Sequence, residues 1–320
     1  MKPILNRRQA CLLLAAGAGL QAVAPTSQAY QPVERRFTID LCPGRIGVGG
    51  SCRDWLGWAK QFQFESIEPD GKFLASLTDD GRAQFVEELR AAEIRWGAAG
   101  LPVEFRRDEA VYQQGMSELP EIVAALQSAG VDRVGTYIMP RHESLTYVAN
   151  LGQHAERLQP VARLLQAHGM RLGLEYVGPK TLWTSSRYPF VHTLAETMDL
   201  IEAIGEPNVG VILDSWHWYT SGDPLEELAA LSNEQVIAVD LNDAPRGRER
   251  DQQIDSEREL PTATGVIDLQ AFLQMLIDKR YDGPVRAEPF NRPLNEMEDL
   301  AALEKTSQAM HAAVRLVEKT

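Results

Sequence analysis

The stretch NVGVILDSWHWY, residues 208–219, decides the fold because it changes character at its midpoint. Its first half is a run of aliphatic and small residues, which is typical of a strand buried on both faces. Its second half places Asp214 and His217 three residues apart, among two tryptophans and a tyrosine. A buried strand that ends in ionisable side chains indicates a parallel sheet whose strand ends open on a cavity.

Similar runs recur along the chain from residue 36 onward, each followed by a segment of helical period. The predicted strands are FTIDLC (37–42), ESIEP (65–69), IRWGAAG (94–100), RVGTYIM (133–139), RLGLEYV (171–177), NVGVILD (208–214), VIAVDL (236–241) and PVRAEPF (284–290). The predicted helices cover 52–62, 80–93, 108–129, 147–168, 190–204, 223–231, 267–279 and 296–318.

This alternation, without a linker rich in Pro, Gly or Ser, predicts an α/β protein with a single (β/α)8 TIM barrel over residues 30–320. An open, doubly wound sheet is the alternative, because periodicity does not show closure. No Gly-rich phosphate loop follows the first strand, which removes the usual sign of a dinucleotide fold. Insertions at 178–189 and 244–265 fall where barrel enzymes build the rims of their active sites.

The N-terminus carries a processing pattern, with Asn6-Arg7-Arg8-Gln9 followed by an apolar run over 10–24 and by Ser27-Gln28-Ala29. It is similar to a twin-arginine export signal cleaved after Ala29. We therefore expect residues 1–29 to be a signal peptide and the mature protein to be exported to the periplasm. An uncleaved membrane anchor is the alternative, although the apolar run is shorter than the ~20 residues that span a bilayer.

The composition, 44% hydrophobic and 24% charged, predicts a globular chain. Without the signal, 29 basic side chains face 45 acidic ones, a net charge of −16. Such a surface repels phosphate backbones, so we expect no nucleic-acid partner. The mature chain keeps only Cys42 and Cys52, which excludes a thiolate zinc site of the usual spacing. The sequence does not decide whether these two cysteines form a disulfide or stay reduced.

Carboxylates cluster at the predicted carboxyl ends of the strands, which converge on one mouth in a barrel. They are Glu68, Glu175, Asp214, Asp240, Asp243 and Glu288. Any one of them is more often a loop cap or a salt-bridge partner. Four of them, however, close strands five to eight in succession, and several buried carboxylates in one cavity need a cation to be tolerated.

The motifs GLEYVG (173–178), LDSWHW (213–218) and RAEPFN (286–291) resemble those of the xylose-isomerase-like barrel superfamily. This superfamily includes sugar isomerases, ketose 3-epimerases, inositol-catabolism enzymes and AP endonucleases, and the resemblance covers residues 36–318. It implies that Glu175, Asp214 and Glu288 hold one divalent metal ion.

The fourth ligand departs from the family pattern, because Asp240 in VDLNDAPR (239–246) stands where the epimerases carry a histidine. An all-oxygen ligand set favours Mn²⁺, with Mg²⁺ or Co²⁺ as further candidates, over Zn²⁺. Asp240 is therefore predicted as a metal ligand, with a hydrogen bond to the substrate as its alternative role.

Four further residues are predicted to bind substrate. The resemblance assigns this role to His217 and Arg246, while Glu68 ends a strand at the same mouth and Trp183 offers a ring that can stack on a sugar. Each has an ordinary alternative. His217 could be a core histidine bonded to backbone, and Arg246 could belong to a solvated run of arginines. Glu68 could form a salt bridge to a loop, and Trp183 could simply pack in the core.

The chemistry that the resemblance implies is proton transfer next to a carbonyl, with Glu175 and Glu288 as acid and base on either side of a metal-stabilised enediolate. We therefore expect an isomerase or epimerase of a small carbohydrate, free of the membrane after signal cleavage, and we leave a homo-oligomer open. A metal-dependent lyase or hydrolase of 3-keto-glycosides, acting by β-elimination, is one alternative. A non-catalytic carbohydrate-binding barrel is another, and an AP endonuclease is disfavoured by charge and by the missing histidines.

Overall fold

Parallel strands curl into a barrel in the computed structural model, which describes residues 34–318. The strands are Thr38–Leu41 (β1), Ser66–Ile67 (β2), Arg95–Trp96 (β3), Ala99–Gly100 (β4), Arg133–Tyr137 (β5), Arg141–His142 (β6), Arg171–Glu175 (β7), Tyr188–Pro189 (β8), Val209–Asp214 (β9), Val236–Leu241 (β10) and Pro284–Ala287 (β11). Every predicted strand is present. The predicted signal peptide, residues 1–29, lies outside the described residues.

The sheet closes on itself through its third predicted strand. Its order is β3-β2-β1-β11-β10-β9-β7-β5-β4, so the two ends of the order are the two halves of the segment 94–100. The halves are separated by Gly97 and Ala98, and a Cβ on Gly97 would lie 2.4 Å from a carboxylate oxygen of Asp40. Closure confirms the predicted (β/α)8 barrel and excludes the open doubly wound sheet.

The eight predicted helices are present, and four short helices accompany them. The helices are Cys52–Phe62 (α1), Gly71–Ser76 (α2), Asp79–Ala91 (α3), Glu109–Ser128 (α4), Tyr147–Ala167 (α5), Lys180–Trp183 (α6), Leu194–Ile204 (α7), Ser215–Ser221 (α8), Leu225–Ala230 (α9), Leu269–Asp278 (α10), Arg292–Asn295 (α11) and Asp299–Arg315 (α12). Side chains of Ser51, Thr78 and Asp108 accept backbone N–H bonds at helix starts, as their sequence positions predict. Within residues 34–318 no helix combines the length and hydropathy that a bilayer crossing requires.

The barrel interior changes from apolar to charged toward the carboxyl ends of the strands. Ile212 and Ala238 pack with Ala98 in a small apolar layer. Asp214 follows Ile212 by two residues, and Asp240 follows Ala238 by two, so each aspartate lies on the same face of its strand as the apolar residue before it. The two aspartates are register partners on β9 and β10. Barrel interiors are usually filled by branched apolar side chains. The charged layer of this barrel therefore marks the end at which a site is expected.

Both predicted insertions lie at this carboxyl end. One is held by a strand pairing and the other by hydrogen bonds to a buried carboxylate. Strand β8, inside the first insertion, pairs antiparallel with β6 and so ties the segments after β5 and β7 together. Asp243, which is fully buried, organises the second insertion, because its carboxylate accepts N–H bonds from Thr264, Gly265 and Ile267. Asp243 is thus the loop-capping carboxylate that the sequence left as an alternative.

Candidate active site

The four carboxylates of strands five to eight meet at the carboxyl end of the barrel, where all of them are at least 95% buried. Ligand atoms of Glu175, Asp214 and His217 lie within 4.8 Å of one another, and so do those of Glu175, Asp240 and Glu288. Glu175 belongs to both groups. The structure therefore brings the predicted metal ligands together into two overlapping sets, each close enough to hold one ion.

An arginine that the sequence analysis did not single out lies at the centre of this cluster. Nη1 of Arg258 is 2.9 Å from Oδ2 of Asp214 and 3.0 Å from Oε2 of Glu288. Its guanidinium lies over the ring of Phe290, 4.4 Å from the ring centre. Arg258 comes from the 244–265 insertion, which contains several arginines. Periodicity does not show which of them turns inward.

Two further arginines share the charge of the cluster. Arg286 donates from Nε to Oδ1 of Asp240 at 2.5 Å and from Nη2 to Oδ2 at 3.2 Å. Arg45 forms an ion pair with Glu288 and lies 3.5 Å from Oδ2 of Asp240. Four buried carboxylates in one cavity are predicted to need a cation. These arginines supply part of that positive charge from the chain itself.

Burial and mutual repulsion separate the pKa values of the carboxyl groups. Burial, with the charges of Asp240 and Asp214, raises the pKa of Glu175 to about 8, and its Oε1 has no hydrogen-bond partner. Burial also raises the pKa of Asp214 to about 6, against the opposing charge of Arg258. Burial acts on Asp240 as well, but Arg286 and Arg45 outweigh it and hold the pKa of that group below its ordinary value. Of these three groups, Glu175 most readily holds a proton near neutral pH.

The ring of His217 lies between two hydrogen-bond donors. The N–H of Gly178 donates to Nδ1 of His217 at 3.2 Å, and Nη2 of Arg258 lies 3.3 Å from Nε2. Burial and the charges of Arg258 and Arg45 lower the pKa of His217 well below its ordinary value, so the ring is neutral. Nε2 is also 3.7 Å from Oδ2 of Asp214 and 3.9 Å from Oε1 of Glu175. The bond from Gly178 therefore orients the ring so that Nε2 faces Arg258 and these carboxylates.

A cavity of about 290 Å³ opens beside these groups. Glu175, His217, Arg258 and Glu288 contribute polar lining, and the apolar lining includes the side chains of Tyr137, Met139, Leu182 and Phe290. The volume is near the lower end of the ~300–1,000 Å³ of small-molecule sites. An apolar wall facing convergent polar groups suits one small polar molecule with an apolar face, such as a sugar ring.

Three of the predicted substrate-binding residues lie outside the lining of this cavity, as far as the described chain shows. Glu68 accepts a hydrogen bond from the thiol of Cys42 and lines a separate cavity of about 280 Å³. The ring of Trp183 stacks on His192, with 4.6 Å between ring centres. Arg246 is exposed and donates to the carbonyl oxygen of Thr264.

The cysteines stay apart in the structure. Cys42 and Cys52 are both buried and both free. Burial raises the pKa of each thiol, and the thiol of Cys42 donates to Oε2 of Glu68. Of the two states that the sequence left open, the structure therefore has reduced thiols.

Comparison with known proteins gives one family match and several relatives. The family model described as "Xylose isomerase-like TIM barrel" matches residues 56–311. An inosose isomerase of Bacillus velezensis is 25% identical over 257 residues, which cover 78% of this chain and 87% of that protein.

Solved structures show the same architecture. A xylose isomerase domain protein from Alicyclobacillus acidocaldarius superposes with a TM-score of 0.76 at 30% identity, covering 88% of this chain and 100% of that one. The IolI protein, solved with a bound zinc atom, superposes with a TM-score of 0.72 at 18% identity, covering 89% and 100% of the two chains.

Proposed function

Because the chain belongs to the xylose isomerase-like TIM barrel family, we propose that it is an enzyme that isomerises or epimerises a sugar or sugar-like carbonyl compound. The similarity to inosose isomerase over 87% of that protein's length supports this reaction class. The observation that carries the proposal is the pair Glu175 and Glu288, which reach one cavity from β7 and from the turn after β11. They stand on either side of the strands that carry Asp214 and Asp240.

A divalent cation fits the residues present. The side chain of Glu175 has a buried oxygen without a partner, and its ligand atoms lie within 4.8 Å of those of the neighbouring acids. We propose that Glu175, Asp214 and Glu288 hold the ion; both oxygens of Asp240, the fourth predicted ligand, are bonded to Arg286. These carboxylates form an oxygen-only set, which suits Mn²⁺, or Mg²⁺ or Co²⁺, better than Zn²⁺. When bound, the ion would supply Lewis-acid stabilisation of the negative charge that develops on the substrate oxygens.

The side chains of this chain provide the remaining steps. One of the two glutamates removes the proton from the carbon next to the carbonyl, and the other returns a proton from its own side of the cavity. His217 contacts a substrate oxygen, and Arg258 holds the carboxylates of Asp214 and Glu288 in place. Leu182 and Phe290 cover an apolar face and limit the access of water.

The test is proton exchange in D₂O. Protein stripped of metal and reloaded with Mn²⁺ is incubated with free ketoses and inosose-type ketones, and deuterium in the recovered sugar is measured by mass spectrometry. We expect deuterium uptake with the loaded protein, and a loss of at least ~100-fold in a Glu288→Gln variant that keeps the circular-dichroism spectrum of the wild type. Turnover by Glu288→Gln within a few-fold of the wild type would contradict the assignment of Glu288.

A lyase or hydrolase of 3-keto-glycosides, acting by β-elimination, is the second candidate. The cavity beside Glu68 favours it, because Glu68 follows strand β2 and Gly100 ends strand β4, which places that cavity at the same end of the barrel. A second cavity at that end offers room for an aglycone. Release of the aglycone from a 3-keto-glycoside, without deuterium uptake into free ketose, would support this reaction over the first.

We further propose that the protein is exported and cleaved after Ala29, so that the mature chain begins with residue 30. The twin-arginine pattern supports this proposal. N-terminal sequencing of protein recovered from the periplasm tests it: we expect a start at Tyr30, and retention of Met1 in a membrane fraction would support the anchor instead.

A further inference from the structure

Asp240 and Arg286 form an ion pair that is built into the sheet. They are register partners on the neighbouring strands β10 and β11. Both oxygens of Asp240 accept from Arg286, at 2.5 and 3.2 Å, and the two side chains are no more than 2% exposed. Because both residues belong to strands, the barrel itself fixes this pair.

The guanidinium of Arg286 is enclosed on its other sides as well. Its Nη1 lies 3.5 Å from the carbonyl oxygen of Ala98, and Asp40 is its register partner on β1. Any movement away from Asp240 would leave a buried charge inside the barrel without its partner, which is strongly unfavourable. Asp240 therefore keeps this guanidinium whatever enters the cavity.

The other two arginines of the cluster are placed differently. Arg45 follows β1 in a short 3₁₀ turn, Pro43–Ile46, and its side chain is 22% exposed. Arg258 belongs to the 244–265 insertion and lines the cavity. Arg45 can turn toward solvent when a cation or a substrate takes its place. Arg258 is only 1% exposed, but it reaches Asp214 and Glu288 through the single nitrogen Nη1 and so occupies one oxygen of each carboxylate. Arg286 occupies both oxygens of Asp240.

We infer that Asp240 is the fixed counter-ion of Arg286 and does not bind the divalent cation, although its ligand atom lies within 4.8 Å of those of Glu175 and Glu288. The ion is then bound through three carboxylates, those of Glu175, Asp214 and Glu288. This inference rests on the proposed function. A guanidinium that occupies both oxygens of Asp240 repels a dication approaching the same carboxylate. The ion consequently keeps one more coordination position for water or substrate than a site with four protein ligands.

The same pair explains why an aspartate suits position 240. An imidazole there, as in the epimerases that the motif resembles, could not accept the two hydrogen bonds that Arg286 donates to Asp240, and it would remove the negative charge beside this guanidinium.

Calorimetric titration of the full chain with Mn²⁺ tests the inference with a charge-neutral double variant, Asp240→Leu with Arg286→Met. Replacing a buried ion pair by apolar side chains of similar size is usually tolerated, and Leu offers no ligand atom. We expect the Mn²⁺ dissociation constant of the double variant to stay within about 3-fold of the wild type. Asp214→Asn is the matched ligand control and should weaken binding by at least ~30-fold.

A loss of 30-fold or more in the double variant would overturn this inference alone. A wild-type protein that binds no Mn²⁺ would overturn the proposed metal dependence and the three-carboxylate site together. A second measurement uses the wild type, so that it does not depend on the folding of a variant: a crystal structure with Mn²⁺, located by its anomalous signal. We expect the oxygens of Asp240 to lie more than ~3.5 Å from the ion, whereas a bond of about 2 Å would overturn the inference.

Discussion

The backbone N–H of Gly178 donates to Nδ1 of His217 across 3.2 Å, and this bond fixes the orientation of the ring. The turn after β7 therefore positions a side chain on α8. Because Nε2 lies 3.3 Å from the guanidinium of Arg258, which repels a cation, we expect His217 to bind the substrate and not the metal ion.

We predict that His217→Ala lowers kcat/KM by about 10²-fold, because a preorganised contact with a substrate oxygen is lost. His217→Gln, whose amide can reach the same place, should recover part of the activity. Calorimetry should give Mn²⁺ affinities within about 3-fold of the wild type for both variants. A 30-fold weaker Mn²⁺ affinity in His217→Ala would instead identify the ring as a ligand.

Arg258 and Arg246 offer a matched pair from one insertion. Arg258 contacts Asp214 and Glu288, whereas Arg246 is exposed and bonded to a carbonyl oxygen. We predict that Arg258→Met lowers kcat by about 10²-fold, since the carboxylates lose their orientation, while Arg246→Met stays within about 3-fold of the wild type. Steady-state kinetics measures kcat for both variants. A larger loss of kcat in Arg246→Met than in Arg258→Met would instead support substrate binding by Arg246.

Gly178 is closely surrounded. A Cβ at this position would lie 2.6 Å from the carbonyl oxygen of His217 and 2.8 Å from the hydroxyl of Thr220. Gly178→Ala should therefore push α8 away and cost about 1–3 kcal/mol of unfolding free energy in urea titrations, together with a loss of activity. The control is Gly152→Ala on α5, where nothing lies within 4 Å and a gain of about 0.5–1 kcal/mol is expected. Equal effects at both positions would contradict the crowding at Gly178.

The free energy of unfolding is expected to depend on pH through His154. Burial lowers its pKa to about 4, and the ring packs against Phe105 and Phe190. Its pKa in the unfolded chain is about 6.5, so the unfolded state binds the extra proton between pH 6.5 and 4. His154 thus contributes stability above pH 6.5 that is lost as the pH falls toward 4, by up to about 3 kcal/mol.

Urea unfolding of the wild type and of His154→Gln across this range is the measurement. The variant should show a flatter dependence on pH over the interval from 6.5 to 4. Parallel curves for the two proteins would mean that another group causes the acid sensitivity.

The regular part of the barrel could be predicted from the sequence because each strand and helix carries its own periodicity. The break of the third strand at Gly97 could not, since it depends on the side chain of Asp40, which is distant in the sequence. The clustering of four carboxylates could be predicted, by contrast, because it depends only on which residues end the strands. These are Glu175, Asp214, Asp240 and Glu288.

The arginines were harder to predict, for two different reasons. Arg258 lies in an irregular insertion, where side-chain direction depends on contacts such as those of Asp243 with the loop backbone. Arg286, by contrast, left a readable signal. It stands two residues before Glu288 on a predicted strand and so points to the same face, where an arginine needs a counter-ion.

The antiparallel pairing of β6 with β8 has a consequence for how this protein could acquire new substrates. The pair joins the segment that carries Met139 and Pro140 to the one that carries Leu182, and all three side chains line the cavity. This wall is held by backbone hydrogen bonds, so it keeps its shape under most side-chain replacements. In a directed-evolution experiment, adaptive substitutions should therefore collect around Asp255 and Phe290, which line the same cavity from segments outside this strand pair.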